Sequence, residues 1–543
     1  MRTSLRAFFA LTCVLLALTP TASTAASSSS NLPRIVERDG RYAILVDGAP
    51  YLILGAQTNN SSDWPSMLPK VWPAISYINA NTVETPVYWE QIEPVQGHFE
   101  FGNVDTVVDQ AREHHVHLIL LWFGTWKNGS AHYIPLWMKS NHTLYPYMIR
   151  ENGLPIDSPS PFAPAALEAD KTAFSKLMGH LKVIDPQHTV IMIQVENETG
   201  TWGSVRDYSP IADTLFDGPV PAKLLHALNL SPSPAADTWQ DVFGTDAEVD
   251  FHAWSVASYV GTVAAAGKAV YPLPMYCNAS LRDPSIPPPA PGTYESGGPT
   301  DNVISIWKAA APAIDMECPD IYINDSTKYL RVLDQYSRPD NPLYVPETGS
   351  GSDYARFFFA ALGHGSMGFS PFGIDFTGSR ISATDSDGLA TWLGDLQQHY
   401  ALFEPMDREI ARLNFEGRVK GVCEDPNVKL QSLTFGPWTA TVSYSTRSFG
   451  GQAPVTNPTP VGGALIAQLS ESQFLVTGYH CRVDFHVTDP NSTKQRAFVR
   501  VYEGSYNGTY KFTPIRIWNG DQTDFGLAFS SQPQVLQVNL GTY

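Results

Sequence analysis

Two glutamates stand one residue apart at the end of an apolar run, in IMIQVENETG at residues 191–200. Glu196 and Glu198 thus follow a stretch typical of a buried strand, where a carboxylate is costly unless it is paired or protonated. Glu347 has the same setting at the end of NPLYVPETG, residues 341–349. Two carboxyl groups facing one glycosidic bond can cleave it, because one protonates the leaving oxygen while the other attacks the anomeric carbon or activates water. We therefore predict a catalytic pair of carboxyl groups.

Eight strand-like segments, with helical patterns between most of them, supply the elements that must position these groups. The segments are residues 51–59, 81–89, 117–126, 189–198, 272–280, 320–325, 341–349 and 365–375. Alternating strands and helices indicate a parallel sheet, and eight such units predict an α/β fold, a (β/α)8 TIM barrel over residues 26–415. A doubly wound open sheet is the alternative, but its G-x-G-x-x-G fingerprint is not in the right place. In a barrel, functional groups gather at the carboxyl ends of the strands.

The pattern changes after residue 415. Val483, Phe485 and Val487 alternate with polar residues, and the segment VLQVNL at 535–540 does the same. Alternation with a period of two residues is typical of half-buried antiparallel strands. We therefore predict a smaller all-β domain over residues 416–543, shaped as a sandwich or a barrel.

The motif QVENETG at residues 194–200 resembles the Q-[IV]-E-N-E-[YF]-G signature of glycoside hydrolase family 35, the β-galactosidases. Residues 83–101 also resemble a stretch of that family, and the resemblance covers most of residues 40–415. It implies that Glu198 is the general acid/base, that Glu347 is the nucleophile and that Asn197 contacts the sugar. The all-β tail is similar to that of family members with a small C-terminal β-domain.

Two departures from the family pattern bear on specificity. Pro86 stands where the family has a tyrosine, although Tyr88 follows two residues later. The third strand reads LLWFGTWKNGS, at 120–130, and lacks the glutamate with which the family binds galactose hydroxyls. The resemblance therefore implies an intact catalytic pair and a weaker expectation of galactose as the terminal sugar.

Further candidate substrate contacts follow the strand ends. They are Asn59, Asn60, Tyr88, Trp89, Trp126, Trp202, Tyr322 and Glu196. Asn59 and Asn60 either hydrogen-bond sugar hydroxyls or form a solvated turn. The indoles, with Trp122, either stack on apolar pyranose faces or belong to the core. Tyr322 is a candidate hydrogen-bond donor to Glu347. No Cys/His cluster has metal-binding spacing, so we predict no metal and no cofactor.

The overall composition limits the partners. The chain has 543 residues and a formal net charge of −18, so we expect two or more domains and neither nucleic acid nor an anionic membrane as a partner. Residues 1–25 have the basic start and short apolar core of a secretory signal peptide, too short to span a membrane. The sequence thus predicts a secreted, extracellular protein.

Four cysteines lie beyond the predicted signal peptide, and in an oxidising compartment they allow three pairings. We favour Cys277–Cys318 and Cys423–Cys481, because each pair stays within one domain, and buried free thiols are the alternative. N-x-S/T sequons begin at Asn60, Asn128, Asn141, Asn197, Asn278, Asn324, Asn491 and Asn507. Some of these are expected to carry glycans in a eukaryotic host.

Together these patterns predict a secreted retaining exo-glycosidase that takes a carbohydrate substrate. The leading specificity is a β-galactosidase that releases terminal galactose from plant-type oligo- or polysaccharide. A β-glycanase or another exo-glycosidase on the same barrel is the near alternative, and a non-catalytic sugar-binding protein is the alternative from another class. A retaining enzyme requires its two carboxyl groups to lie about 5–5.5 Å apart.

Overall fold

The computed structural model describes residues 31–233, 236–378, 381–445, 456–507 and 511–543, and its centre is a closed barrel of eight parallel strands. The strands are β1 (Ile53–Gln57), β2 (Thr82–Tyr88), β3 (His117–Lys127), β4 (Val190–Asn197), β5 (Met275–Ser280), β6 (Met316–Ile321), β7 (Val345–Thr348) and β8 (Gly368–Pro371). The predicted (β/α)8 fold is confirmed. The predicted signal peptide lies outside the described residues.

A helix follows each barrel strand and covers its outer face. These helices span Trp72–Ile78, Gly102–Glu113, Pro164–Ile184, Ala247–Val270, Ile304–Ala310, Ser326–Tyr336, Phe357–Gly363 and Ser386–Phe403, and Asp407–Phe415 follows the last of them. The strands read as continuous apolar runs because both faces are buried. In β4, for example, Ile193 and Val195 pack in the core between the sheet and the helices.

Strand β6 begins and ends earlier than the predicted segment 320–325. It spans Met316–Ile321, and the residues after it lead into the helix Ser326–Tyr336. Asp325 caps that helix, since its side chain accepts a hydrogen bond from the backbone N–H of Lys328. Tyr322 therefore lies in the loop beyond the strand, at the carboxyl end of the barrel.

A small antiparallel sheet covers the opposite end of the barrel. Its strands are Arg34–Arg38, Arg41–Val46 and Ala49–Tyr51. Ile44 and Val46 pack with Ile53, Ile119 and Met316, which belong to the first half of barrel strands. With this end filled by apolar side chains, the carboxyl ends of the strands form the open mouth.

The pairing of β3 with β4 is irregular near the mouth. Trp122 pairs with Val195 and Lys127 pairs with Asn197, so β3 has four residues between these pairs where β4 has one. In the same stretch Glu196 has a backbone φ of 64° and Glu198 one of 42°, values in the left-handed region that non-glycine residues seldom adopt. This bulge breaks the alternation of side chains expected for an ideal strand.

The C-terminal segment forms two packed antiparallel sheets, which confirms the predicted all-β tail. The six-stranded sheet contains, in spatial order, Val419–Cys423, Gly463–Gln468, Gln473–Tyr479, Val535–Thr542, Arg496–Ser505 and Thr513–Trp518. The four-stranded sheet contains Leu430–Phe435, Trp438–Ser443, Cys481–Val487 and Leu527–Phe529. Ile466 and Val476 belong to the core between the two sheets, which makes the architecture a β-sandwich.

The six-stranded sheet also packs against the barrel. Leu465 and Leu475, which alternate with the sandwich-core residues, join the core that contains the helix Phe357–Gly363. A Cβ added at Gly363 would overlap the backbone of Gly421. The close approach of the helix and the sheet therefore requires glycine at that point.

The predicted disulfides are wrong: all four cysteines are buried free thiols. Cys277 pairs in register with Glu317 and Asn278 pairs with Cys318, so the two thiols are offset by one residue on adjacent strands. Neighbouring residues of a strand point to opposite faces, and Cys277 accordingly faces the helices whereas Cys318 faces the barrel interior. Cys423 and Cys481 likewise belong to two separate cores, one on each face of the six-stranded sheet.

Within the described residues, the helices are all too short or too polar to span a membrane.

Candidate active site

Three carboxyl groups converge at the barrel mouth. Glu198 directly follows β4, Asp320 lies near the end of β6 and Glu347 lies near the end of β7. Each offers an oxygen, and the three oxygens lie within 4.8 Å of one another. The structure therefore brings together the two glutamates predicted to be catalytic and adds Asp320, which was not among the predicted residues.

Hydrogen-bond donors hold both oxygens of Glu347. Gln57, the last residue of β1, donates from Nε2 to Oε2 at 3.0 Å, and the Tyr322 hydroxyl donates to Oε1 at 2.6 Å. The Tyr322 contact is the one anticipated from the sequence. With only 5% of its surface exposed and a donor on each oxygen, the Glu347 carboxylate has a defined orientation.

Glu198 is held in place through its backbone. Its N–H donates to Asn278 Oδ1 at 3.0 Å, and its carbonyl accepts a hydrogen bond from Gly129 at 2.8 Å. Burial and the negative charge of Glu347 raise the pKa of Glu198 to about 7, against the opposing effect of Lys127. A carboxyl group with such a pKa retains a proton close to neutral pH and can act as a general acid.

Lys127 orients the predicted sugar-binding asparagine. The ammonium group donates to Asn197 Oδ1 at 2.8 Å, and both side chains are buried. This bond fixes the amide so that its nitrogen is the group left to interact with a ligand. Asn197 Nδ2 is buried and has no hydrogen-bond partner among the described residues.

Glu196 does not point into the mouth, which corrects its prediction as a substrate contact. Its Oε2 accepts a hydrogen bond from the backbone N–H of Trp126 at 2.7 Å, inside the bulge between β3 and β4. Burial, followed by the charge of Asp170 on the helix Pro164–Ile184, raises its pKa well above the usual range. The unusual φ of Glu196 turns the side chain away from the face occupied by Glu198, so it has a structural role.

Three of the four candidate tryptophans belong to the core rather than to a sugar platform. Trp89, Trp122 and Trp126 are fully buried, and their indole N–H groups donate to Glu93, Asp170 and Ser158. The alternative stated for these indoles is thus the correct one. Trp202 differs, since 46% of its surface is exposed and it lies beside Gly129, next to the backbone of Glu198.

The other polar candidates are only partly available to a ligand. Asn59 is held by Asp375, which accepts hydrogen bonds from its backbone and side-chain nitrogens at 2.7 and 2.8 Å. Asn60 keeps a buried side-chain oxygen without a partner among the described residues. Tyr88 is 2% exposed and stacks on Tyr133 with ring centroids 4.9 Å apart, so in this structure it packs in the core.

Several residues of the site carried no clear signal in the sequence. They are Gln57, Lys127, Asn278, Glu295 and Asp320. Lys127 is the last residue of β3, which the apolar pattern ended one residue too early. Asp320 is the last residue but one of β6, which the pattern ended four residues too late. Glu295 lies in a proline-rich loop, residues 283–300, that follows β5. It is buried, and burial and the charge of Glu198 raise its pKa. One general property could have pointed to Gln57, Lys127 and Asp320, because each is a polar residue at the end of a barrel strand.

The three converging carboxyl groups are also the one set of metal-type ligands in close proximity among the described residues. Hydrogen-bond donors already approach two of them, because Gln57 and Tyr322 bond to Glu347 and Asn278 bonds to Asp320. Protein donors therefore orient both of these carboxyl groups in this structure.

Two sequons lie inside this site, and we expect neither to be glycosylated. Asn197 and Asn278 are fully buried and hydrogen-bonded, whereas the asparagines of the sequons at Asn141 and Asn324 are exposed. After expression in a eukaryotic host, peptide mapping should find glycans on exposed sequons and none on Asn197 or Asn278. Substantial occupancy at Asn197 would remove it from the substrate-binding site.

This chain is similar to one family profile and to several solved structures. A family profile described as a domain of unknown function (DUF5597) matches residues 396–530. A search of curated protein sequences finds no match. Similar solved structures include the cold-adapted β-galactosidase from Rahnella sp. R3, with a TM-score of 0.48 and 16% identity over 67% of this chain and 58% of that chain. This chain therefore spans about three fifths of that protein's length.

Two further β-galactosidase structures are similar at the same level. The enzyme from Marinomonas ef1 has a TM-score of 0.46 and 13% identity over 66% of this chain and 61% of that chain. The enzyme from Bacillus circulans sp. alkalophilus has a TM-score of 0.47 and 10% identity over 90% of this chain and 99% of that chain. These similarities do not by themselves assign an activity to this chain.

Proposed function

We propose that this protein is a retaining exo-glycosidase and that its leading specificity is that of a β-galactosidase. The observation that carries the proposal is the position of Glu198 and Glu347, whose carboxyl oxygens lie within 4.8 Å of each other at the barrel mouth. Retaining enzymes place the two groups about 5–5.5 Å apart, and inverting enzymes about 6.5–9.5 Å apart to admit a water. The close approach of one oxygen from each glutamate favours the retaining arrangement.

The environments of the two groups support different roles. Glu347 receives donors on both oxygens, an arrangement that aims the carboxylate at the anomeric carbon. Glu198 has a pKa raised to about 7, which suits it to protonate the leaving oxygen and later to deprotonate water. Asn197, oriented by Lys127, supplies an amide donor for a sugar hydroxyl.

The choice of galactose rests on the resemblance of residues 194–200 to the family 35 motif. A β-glycanase or another exo-glycosidase would use the same carboxyl pair, and a sugar-binding protein without turnover would need neither group to be reactive.

A panel of nitrophenyl glycosides separates these alternatives. Galactoside turnover with a first product of retained anomeric configuration by NMR supports the proposal. Turnover of another glycoside corrects the sugar, an inverted first product corrects the mechanism, and binding without turnover favours the sugar-binding protein.

The structure also bears on the size of the substrate. The third strand lacks the glutamate that the family resemblance implies, so binding energy for the terminal sugar must come from other contacts. Trp202 is half-exposed beside the backbone of Glu198, where a sugar beyond the scissile bond could stack on it. Such remote contacts can lower the barrier at the reacting centre.

We therefore expect kcat/KM on galactosylated xyloglucan oligosaccharides to exceed kcat/KM on lactose. Trp202→Ala should lower the value for the oligosaccharide by about tenfold, as expected for roughly 1.4 kcal/mol of stacking, and leave nitrophenyl galactoside turnover nearly unchanged. The measurement is a steady-state comparison of the three substrates. Equal or better turnover of lactose by the wild-type protein would contradict the extended site without affecting the catalytic pair.

Secretion is part of the proposal, because residues 1–25 have the composition of a signal peptide. Recovery of the protein from the culture medium, with a mature N-terminus close to residue 26, tests it. Retention of the intact N-terminus inside the cell would contradict it.

A further inference from the structure

Three carboxyl groups converge at the barrel mouth, where a two-carboxylate mechanism uses two. Asp320 is 3% exposed and lies beside Glu347 in the barrel, because the two residues pair directly between β6 and β7. It offers an oxygen within 4.8 Å of both Glu198 and Glu347. Three ionised carboxylates so close together would repel one another strongly, so the group must hold at least one proton near neutral pH.

Asn278 links Asp320 to Glu198. Its Oδ1 accepts the backbone N–H of Glu198 at 3.0 Å, and its Nδ2 donates to Asp320 Oδ2 at 2.6 Å. The other oxygen of Asp320, Oδ1, is buried and receives no donor from the described residues. A proton shared with the neighbouring carboxyl group of Glu198 would satisfy this oxygen.

The charged groups around the pair come from several elements. Glu347 on β7 adds negative charge, and Lys127 at the end of β3 adds a positive charge. Glu295 in the loop after β5 also faces Glu198, but burial and the charge of Glu198 raise its pKa well above the usual range. Tyr322 is neutral, since burial and Glu347 raise its pKa. Burial and the charges of Glu347 and Glu198 raise the pKa of Asp320 well above its usual range.

We propose that Asp320 is a positioning residue that shares one proton with Glu198, so that the two carboxyl groups work as a single acid–base unit. The inference rests on the proposed glycosidase function. Asp320 acts through Glu198, to whose backbone Asn278 links it.

The charge of the three groups is then constant through the reaction. Before the reaction Glu347 is ionised and the Glu198–Asp320 pair carries one proton, so the total is two negative charges. When Glu347 forms the glycosyl ester it becomes neutral, and the pair loses its proton to the leaving oxygen and holds both charges. Water then attacks the anomeric carbon and gives a proton to the pair, and the bond from that carbon to the Glu347 oxygen breaks, which releases Glu347 as a carboxylate. Whenever one of these carboxyl groups becomes negatively charged, another becomes neutral.

The test is the pH dependence of kcat/KM in Asp320→Asn. The amide cannot carry the shared proton, and its N–H stabilises ionised Glu198, which lowers the pKa of Glu198. The general acid is then deprotonated at lower pH, so the basic limb should move down by about one pH unit or more. Activity in the acidic range should suffer less than activity above pH 7.

Asn278→Ala is the matched control. It removes the link between Asp320 and the Glu198 backbone and keeps both carboxyl groups, so kcat should fall without a downward shift of the basic limb. If Asp320 were merely structural, Asp320→Asn would lower activity equally at all pH values and leave the limb in place. That result would overturn the proposal.

A second measurement does not depend on turnover. The Glu198 carboxyl can be titrated by ¹³C NMR after labelling of glutamate side chains, with Glu198→Gln to assign its signal. Asp320→Asn should lower the Glu198 midpoint, and an unchanged midpoint would overturn the proton-sharing unit. Absence of glycoside turnover by the wild-type protein would overturn the proposed function instead, and the NMR titration would still decide the inference.

Discussion

Glu347→Gln is expected to abolish turnover of every glycoside substrate, with kcat lowered by at least about ten-thousand-fold. The amide is not a nucleophile, so the glycosyl ester cannot form. The variant should fold, because a glutamine of the same shape can still accept the hydrogen bond from Tyr322 or from Gln57. Steady-state kinetics with an activated nitrophenyl glycoside measure the loss, and thermal unfolding checks that the variant is folded.

The anomeric configuration of an azide adduct then tests the role of Glu347. In Glu347→Ala, azide can occupy the space left by the nucleophile and attack the substrate directly, giving a glycosyl azide of inverted configuration. A retained adduct from this variant would mean that a different carboxylate attacks, and the roles of Glu198 and Glu347 would be exchanged. Wild-type activity in Glu347→Gln would contradict the catalytic pair altogether.

Glu198→Gln should have an effect that depends on the leaving group. Dinitrophenolate needs little protonation, so kcat/KM for a dinitrophenyl glycoside should fall by no more than about tenfold, whereas a sugar or alkyl leaving group should lose about 10²–10⁴-fold. Azide should restore turnover of the activated substrate with retained configuration, because Glu347 still forms the intermediate. A loss that is equal for all leaving groups would contradict the role of Glu198 as acid/base.

Glu196→Gln is the matched control for this prediction, since it makes the same chemical change two residues away. A glutamine can keep the hydrogen bond from the Trp126 N–H and can donate to Asp170, the carboxyl group that faces Glu196. Activity within about threefold of the wild type is expected, because Glu196 lies outside the mouth. Equal losses in Glu196→Gln and Glu198→Gln would show that the bulge, rather than the acid at Glu198, controls the reaction.

The carboxyl pair could be predicted from the sequence because a charged residue at the end of an apolar run is unusual. Glu198 and Glu347 end two such runs, and the barrel topology alone brings their strand ends to one mouth. The separation of Glu196 from Glu198 could not be predicted in the same way. An ideal strand places both on one face, and only the backbone at the β3–β4 bulge turns Glu196 toward the helices.

The burial of individual aromatic residues could not be predicted from the sequence either. A tryptophan that stacks on sugar and one that fills the core look alike in the sequence, and Trp126 and Trp202 both lie near strand ends. Their different exposure depends on whether a helix lies over them, and Tyr259 of the helix Ala247–Val270 packs against Trp126. The cysteine pairing failed for a related reason, since the one-residue offset between Cys277 and Cys318 follows from register, which spacing along the chain does not specify.

The glycine contact between the barrel and the sandwich has a consequence for how the molecule unfolds. Phe359 packs against Gly463, and the backbone of Gly363 meets that of Gly421 without intervening side chains. The family profile that begins at residue 396 contains the sandwich side of this junction and part of the helix Ser386–Phe403. Because the barrel and the sandwich share this packed core, we expect one cooperative transition, and calorimetry should record a single endotherm. A chain cut before Val419 would leave the apolar side of the helix Phe357–Gly363 in water and would aggregate instead of remaining as an independent catalytic module.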